Sequence, residues 1–202
     1  MTQLDIFDDS RDVMLRNDVL SALRRNDPSA ARRALQRLSS EYPDHDSLAA
    51  FAILVHALEK HNALPVANHD AVAAARKDLL DRVEPAAGQW FGLRAATAWL
   101  SPLWQNIASH ATPLPFLPER SECHPAPLWL HAREWGQAIS ATEQINSWRR
   151  IPAPLAWMTE ATYRLNGIEA SLAMRVEFAW LSPVRFDALA KRLADPALNA
   201  LL

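Results

Sequence analysis

The stretch from residue 152 to residue 183 constrains the fold most, because prolines bracket two runs of helical periodicity there. In the first run, apolar and small residues recur three or four positions apart, as on one face of a helix. Asn166-Gly167 then predicts a stop, since glycine readily takes the left-handed conformation that ends helices. A second helix is predicted over residues 168–181. Together, the two runs predict a helical hairpin.

The second helix of this hairpin has two apolar stripes. They consist of Leu172, Ala173, Val176 and Trp180, and of Met174, Phe178 and Leu181. A helix that is apolar on two faces needs contacts on two sides. We therefore expect the rest of the chain to stack on the hairpin and to cover both stripes. Ser182-Pro183 predicts the start of the next helix, because serine caps helix N-termini and proline fits the first turn.

The remainder of the chain also favours helices. Half of the residues are hydrophobic, only four are glycine, and no stretch alternates apolar and polar residues as a half-buried strand does. The predicted fold class is all-α, with about nine helices stacked as hairpins. All eight tryptophans lie between Trp90 and Trp180. We expect a tail over residues 1–10 and two halves over residues 11–85 and 86–202, within one continuous domain.

Charge and cysteine content argue against several classes of function. The net charge is −2 with both signs mixed along the chain, which argues against a general binder of nucleic acids or of membrane surfaces. Cys123 is the only cysteine, so no internal disulfide can form, as is usual in a reducing cytoplasm. The first residues lack the apolar core of a signal peptide, and the longest apolar run, residues 48–55, is too short to span a bilayer. We expect a soluble cytoplasmic protein without a cofactor.

Residues 3–7 read QLDIF and precede the first predicted helix. This stretch resembles the short motif with which bacterial replication and repair proteins bind the sliding clamp of DNA polymerase. The residues that match are Gln3, Leu4, Asp5 and Phe7, and Ile6 replaces a leucine. The resemblance implies that the segment docks on the clamp as a short extended peptide. The alternative is that its apolar side chains fold back on the first helix, as residues before an N-cap often do.

Two further stretches are similar to tetratricopeptide repeats, over roughly a third of the chain. The matching positions are Ala31, Leu35, Leu38 and Pro43 in the first half, and Tyr163 and Gly167 in the hairpin. Val19 and Glu160 stand where the repeat has a first-helix glycine. The resemblance implies stacked helical hairpins.

The segment 111–127 contains five prolines and predicts a long loop. Cys123, His124 and His131 lie in or near it, so an enzyme or a small-molecule-binding protein with a site here is the alternative function. Neighbouring Cys123 and His124 are hard to direct at one metal ion, however. No carboxylate pair for acid–base catalysis lies in an apolar stretch; the glutamates of the hairpin are predicted to face solvent, namely Glu160, Glu169 and Glu177.

Two other polar clusters have structural explanations. His56 and His61 are five positions apart, about 140° around a helix, and cannot share a metal ion. Five arginines gather around the first predicted turn, with carboxylates near them in sequence, which predicts a solvated face with salt bridges rather than a phosphate site. These are Arg24, Arg25, Arg32, Arg33 and Arg37.

The tryptophans of the second half suggest where a partner binds, because aromatic residues dominate binding hot spots. The candidates to line a groove are Trp129, Trp135, Trp148 and Trp157. We predict a non-enzymatic protein-interaction module or scaffold, with the sliding clamp as a candidate partner. The sequence leaves another alternative, a structural subunit of a larger assembly. Its stack would extend into another chain through Leu198, Leu201 and Leu202.

Overall fold

The computed structural model describes residues 5–60 and 68–193, with side chains from residue 11 onwards. Every regular element in these ranges is helical, so the predicted all-α class is confirmed. The α-helices are α1 (Asp5–Arg24), α2 (Pro28–Glu41), α3 (Leu48–Lys60), α4 (His69–Asp78), α5 (Glu84–Phe91), α6 (Leu93–Ala111), α7 (Pro125–His131), α8 (Trp135–Glu143), α9 (Pro152–Leu181) and α10 (Pro183–Leu193). A π-helical segment covers Leu79–Val83, and 3-10 turns cover Pro118–Cys123 and Trp148–Arg150.

The described residues divide into two compact units. The first comprises residues 5–60 and 74–103, and the second comprises residues 68–73 and 104–193. Residue 85, near which the tryptophan distribution places a boundary, lies within the first unit.

In the first unit, α1 packs along α2, and α2 packs on α3. Asp27 caps α2, because its side chain accepts a hydrogen bond of 2.8 Å from the Ala30 backbone N–H, and Pro28 occupies the first turn. The Trp99 indole N–H donates to the Leu23 carbonyl oxygen at 2.9 Å. The largest fully buried side chains of this unit include those of Val19, Leu23, Leu38, Phe51, Leu54 and Val55.

In the second unit, the chain reverses direction at Gly167. The φ of 85° and ψ of −173° at this residue interrupt α9, which therefore consists of a first arm, residues 152–166, and a second arm, residues 168–181. Arg149 Nε lies 3.6 Å from Glu177 Oε2, whereas Pro152 and Glu177 would be about 37 Å apart in a straight helix. The two arms therefore run back along each other, and the predicted stop at Asn166-Gly167 is confirmed.

The hairpin and α10 share one apolar core. Leu155 of the first arm and Phe178 of the second arm belong to the same buried cluster as Leu189 and Leu193 of α10. Further side chains pack against this cluster, namely Trp148, Ala156, Tyr163, Met174 and Phe186. α10 begins at Pro183, as the Ser182-Pro183 pair predicts. The hairpin thus packs against its sequence neighbours α8 and α10.

Several predicted helix boundaries are wrong. α1 begins at Asp5 rather than near Arg11. Helical periodicity over residues 89–109 predicts one helix there, with a possible break at Ser101-Pro102, but Gly92, with a φ of 75°, separates α5 from α6 instead. Arg133, with a φ of 61°, separates α7 from α8 in the same way. Both residues lie between helices whose combined apolar pattern continues across the break, so periodicity alone predicts a single helix in each place.

Candidate docking surface on the hairpin

The second arm of α9 packs Met174 and Phe178 of one apolar stripe inward, leaves Leu181 at its end 42% exposed, and exposes the other stripe. Phe178 is fully buried, and Met174 packs against the same core cluster. The expectation that neighbouring helices cover both stripes is wrong for the described residues. The exposed fractions are 54% for Leu172, 55% for Val176 and 86% for Trp180.

We call Leu172, Ala173, Val176 and Trp180 the exposed stripe. Leu172, Val176 and Trp180 are spaced four residues apart and so extend about 12 Å along one side of the helix. Of the eight tryptophans, all of which lie in the described residues, Trp180 alone is exposed. Single exposed apolar residues are common on protein surfaces, but a contiguous row of large ones marks a contact site.

An open groove of about 610 Å³ lies at the Trp180 end of the exposed stripe. Its lining residues are Arg149, Arg150, Val176, Glu177, Trp180 and Leu181. The Arg149 guanidinium carbon lies 5.3 Å from the centroid of the Trp148 ring, and its Nε lies 3.6 Å from Glu177. Arg150 is exposed and has no ion-pair partner among the described residues. The groove therefore combines an apolar wall with an uncompensated positive charge.

Arg175 is an unusual residue on the other side of the second arm. It is only 4% exposed, and its Nε and Nη1 atoms have no hydrogen-bond partner among the described residues. Buried polar atoms are nearly always paired, and an unpaired buried cation is costly. The buried face of the second arm is consequently less stable than its apolar residues alone suggest.

Glu160 of the first arm is also buried, at 7% exposure, which contradicts the expectation that it faces solvent. Its carboxylate binds the Arg192 guanidinium of α10, with Arg192 Nε 3.3 Å from Glu160 Oε1. Glu169 and Glu177 are exposed as predicted. The pair of Glu160 and Arg192 joins two helices of the hairpin core and explains the burial structurally.

The four tryptophans predicted to line a groove are each half-buried. Trp148 packs against the hairpin core, and Trp157 stacks on His124 with 5.5 Å between ring centroids. Trp129 lies in α7 and Trp135 begins α8. The tryptophan that lines the groove described above is instead Trp180, which the sequence pattern places in a stripe expected to be buried. Periodicity locates that stripe, but it does not predict whether another helix covers it, and in the described chain none does.

The residues of the alternative site near 111–127 have separate surroundings. Cys123 is buried, with its Sγ 3.5 Å from the His69 carbonyl oxygen. The His131 ring stacks on Trp104 at 4.4 Å, whereas the His124 ring stacks on Trp157. The segment is also less irregular than predicted, because it contains the Pro118–Cys123 turn and the start of α7.

His124 has a structural role at the start of α7. Its Nδ1 accepts a hydrogen bond of 3.2 Å from the Ala126 backbone N–H, and so caps the helix. Burial between Trp157 and Phe116 lowers the pKa of His124 to about 4, because the charged form loses its hydration. The ring is therefore neutral at pH 7, as its acceptor role requires.

The arginines around the first turn include three with polar partners. Arg32 Nε donates to Glu59 Oε1 at 2.8 Å, and this hydrogen bond lowers the pKa of Glu59. Arg37 Nη2 lies 3.2 Å from Asp18 Oδ2. Arg25 instead donates to the Ser21 hydroxyl at 2.9 Å. The predicted solvated face with salt bridges is thus present at Arg32 and Arg37.

The 3–7 segment is described only in part. Gln3 and Leu4 lie outside the described residues, as do Leu198, Leu201 and Leu202. The backbone of Asp5, Ile6 and Phe7 forms the first turn of α1. An extended docked peptide would require that turn to unwind.

No group of three or more His, Cys, Asp or Glu residues within 5–60 and 68–193 is placed to hold a metal ion. In the same ranges, no helix has both the length and the apolar character needed to cross a bilayer. Comparisons with protein-family models, with curated proteins and with solved structures gave no match.

Proposed function

We propose that this chain is a non-enzymatic protein-interaction module that binds a protein partner through the exposed stripe. The observation that carries the proposal is the row of Leu172, Val176 and Trp180 on one exposed helix face. Exposing these side chains to water costs free energy that a partner recovers on binding, at about 25 cal/mol per Å² of apolar area removed from water. Tryptophan is also the residue type most enriched among binding hot spots.

The test is loss of binding in a Trp180→Ser variant. Because Trp180 packs little in the free chain, the substitution should leave the fold unchanged, as circular dichroism would verify. We expect partners captured by the wild-type chain from bacterial lysate to be lost from the variant. Leu93→Ser is the matched control, since Leu93 is equally exposed but lies on α6. Identical partner sets for wild type and Trp180→Ser would refute the role of the stripe.

The 3–7 segment is a second proposed docking element, whose partner would be the bacterial sliding clamp. The proposal rests on its resemblance to clamp-binding motifs. A helix N-terminus frays easily, so unwinding the first turn of α1 should cost little compared with burying two or three apolar side chains. Binding to the clamp would also place the chain in the bacterial cytoplasm.

Purified clamp tests this element directly. We expect the wild-type chain to bind immobilised clamp and the Phe7→Ala variant to bind at least tenfold more weakly. Val13→Ala, on the same helix but beyond the segment, is the control. Equal binding by Phe7→Ala and wild type would remove the clamp from the proposal and leave the exposed stripe unaffected.

A further inference from the structure

The part of the chain that carries the exposed stripe is positively charged. Residues 148–193 contain seven Lys or Arg and four Asp or Glu, a net charge of +3, although the whole chain has a net charge of −2. Two of these arginines, Arg149 and Arg150, line the groove beside Trp180, where Glu177 is the one carboxylate among the lining residues. The charge next to the apolar wall is therefore positive.

The ion pairs of this region leave that charge uncompensated. Glu160 pairs with Arg192, and Asp187 pairs with Lys191 at 2.6 Å. Glu177 lies 3.6 Å from Arg149, and both side chains are largely exposed. Arg150 retains no carboxylate partner among the described residues. An acidic group from outside the chain would supply the missing partner.

We propose that the exposed stripe and its groove bind an acidic amphipathic helix of another protein. This inference rests on the proposed function and specifies the partner. Apolar side chains of the partner pack on Leu172, Val176 and Trp180, whose spacing suits the i, i+3, i+4 and i+7 positions of a helix in a groove. Aspartate or glutamate on the partner's flank lies against Arg149 and Arg150.

Charge also distinguishes this partner from other occupants of the same surface. A second copy that docked through the same surface would place its own residues 148–193, with a net charge of +3, against those of the first, which disfavours self-association through this surface. An anionic bilayer has suitable charge but is flat. The groove places Trp180 beside Arg150, and the apolar and acidic side chains of one amphipathic helix match both, whereas an anionic headgroup layer presents charge without apolar side chains.

A displayed peptide library tests the inference with the full chain as bait. Each 14-residue peptide has leucines fixed at helical spacing, with Glu, Gln or Lys at the flanking positions. We expect selected peptides to contain at least threefold more Glu than Lys. The Arg149→Glu, Arg150→Glu double variant should bind the best acidic peptide about tenfold more weakly, with the loss reduced at 0.5 M salt. The Arg24→Glu, Arg94→Glu double variant changes two exposed arginines of α1 and α6, is the charge-matched control and should bind as wild type.

Each other outcome has a distinct meaning. Selection that depends on Trp180 but shows no excess of Glu refutes the acidic partner and retains the interaction function. No selection, together with unchanged lysate partners in Trp180→Ser, refutes both. Sedimentation showing a dimer that Trp180→Ser dissociates would assign the stripe to a second copy. Trp180-dependent binding to phosphatidylserine vesicles, without any peptide selection, would assign it to a membrane surface. Either of these last two results overturns the proposed partner.

Discussion

Replacing Arg175 by methionine should stabilise the protein. The guanidinium of Arg175 lies on the buried side of the second arm, at 4% exposure, and two of its nitrogens lack a hydrogen-bond partner among the described residues. Folding therefore removes a cation from water without replacing its hydrogen bonds there. Methionine has a similar length and flexibility and fills the same space without a charge.

The size of the effect follows from this burial. One buried hydrogen-bonding group without a partner costs about 1–3 kcal/mol, and a charged one costs more. The arginine stem packs against its neighbours and contributes apolar contacts, which methionine largely retains. We expect the free energy of unfolding to rise by about 1–3 kcal/mol. For a chain of this length, that raises the melting temperature by about 3–10 °C.

Urea titration and thermal melts followed by circular dichroism measure this change. The control is Arg185→Met on α10, because Arg185 is exposed and its replacement should alter the unfolding free energy by less than about 0.5 kcal/mol. A decrease of 1 kcal/mol or more in Arg175→Met would contradict the reasoning. It would show that the guanidinium of Arg175 stabilises the hairpin instead of destabilising it.

Three further predictions test individual features of the fold. The pKa of His124 is about 4 in the folded chain and 6.5 for an ordinary solvated histidine. As the pH falls, His124 is therefore protonated in the unfolded state before it is protonated in the folded state. This residue contributes stability that is fully present above pH 6.5 and is lost as the pH falls towards 4. That loss amounts to at most about 3 kcal/mol. His124→Asn keeps a capping side chain, and its unfolding free energy, from urea titrations at pH 7 and pH 4.5, should fall less between the two pH values than that of the wild type. An equal fall in both proteins would contradict the lowered pKa of His124. Gly167→Ala should lower the free energy of unfolding by about 1–3 kcal/mol, because φ and ψ at this residue are accessible mainly to glycine. The control is Gly136→Ala within α8, where an added Cβ meets no atom within 4 Å, and it should raise that free energy by about 0.5 kcal/mol. Equal effects of the two substitutions on the melting temperature would argue against the chain reversal at Gly167. Asp27→Ala should cost about 1 kcal/mol through loss of the α2 cap, and no change in melting temperature would refute the capping role.

Local signals in the sequence predict the parts of the fold that depend on local chemistry. The stop at Asn166-Gly167, the start of α10 at Pro183 and the cap at Asp27 all follow from residues that favour one backbone conformation or supply one hydrogen bond. Gly92 carries the same kind of signal, which the apolar periodicity over residues 89–109 masks. Arg133 carries none, because an arginine with positive φ is held there by its surroundings.

The candidate site depends on information that local signals do not contain. Both stripes of the second arm have the same helical spacing and similar apolar residues, so the sequence predicts two contacts with equal weight. Phe178 packs with Leu155 and α10, whereas Trp180 lies outside this cluster and is 86% exposed. Glu160 shows the converse error: it is buried because Arg192, 32 positions away, reaches its carboxylate. Such pairings are set by tertiary packing.

Two residues of the second arm thus lower the stability of the free chain. Trp180 exposes a large apolar surface on one side, and Arg175 buries a guanidinium with two unpaired nitrogens on another. Neither residue is needed to form the helix, since methionine at 175 and a polar residue at 180 would suit the same backbone better. Features that lower stability without a local benefit concentrate at functional sites. A stabilised Arg175→Met variant that loses partner binding would place both residues in one binding element, whereas a stabilised variant with full binding would leave the exposed stripe as the functional face of this helix.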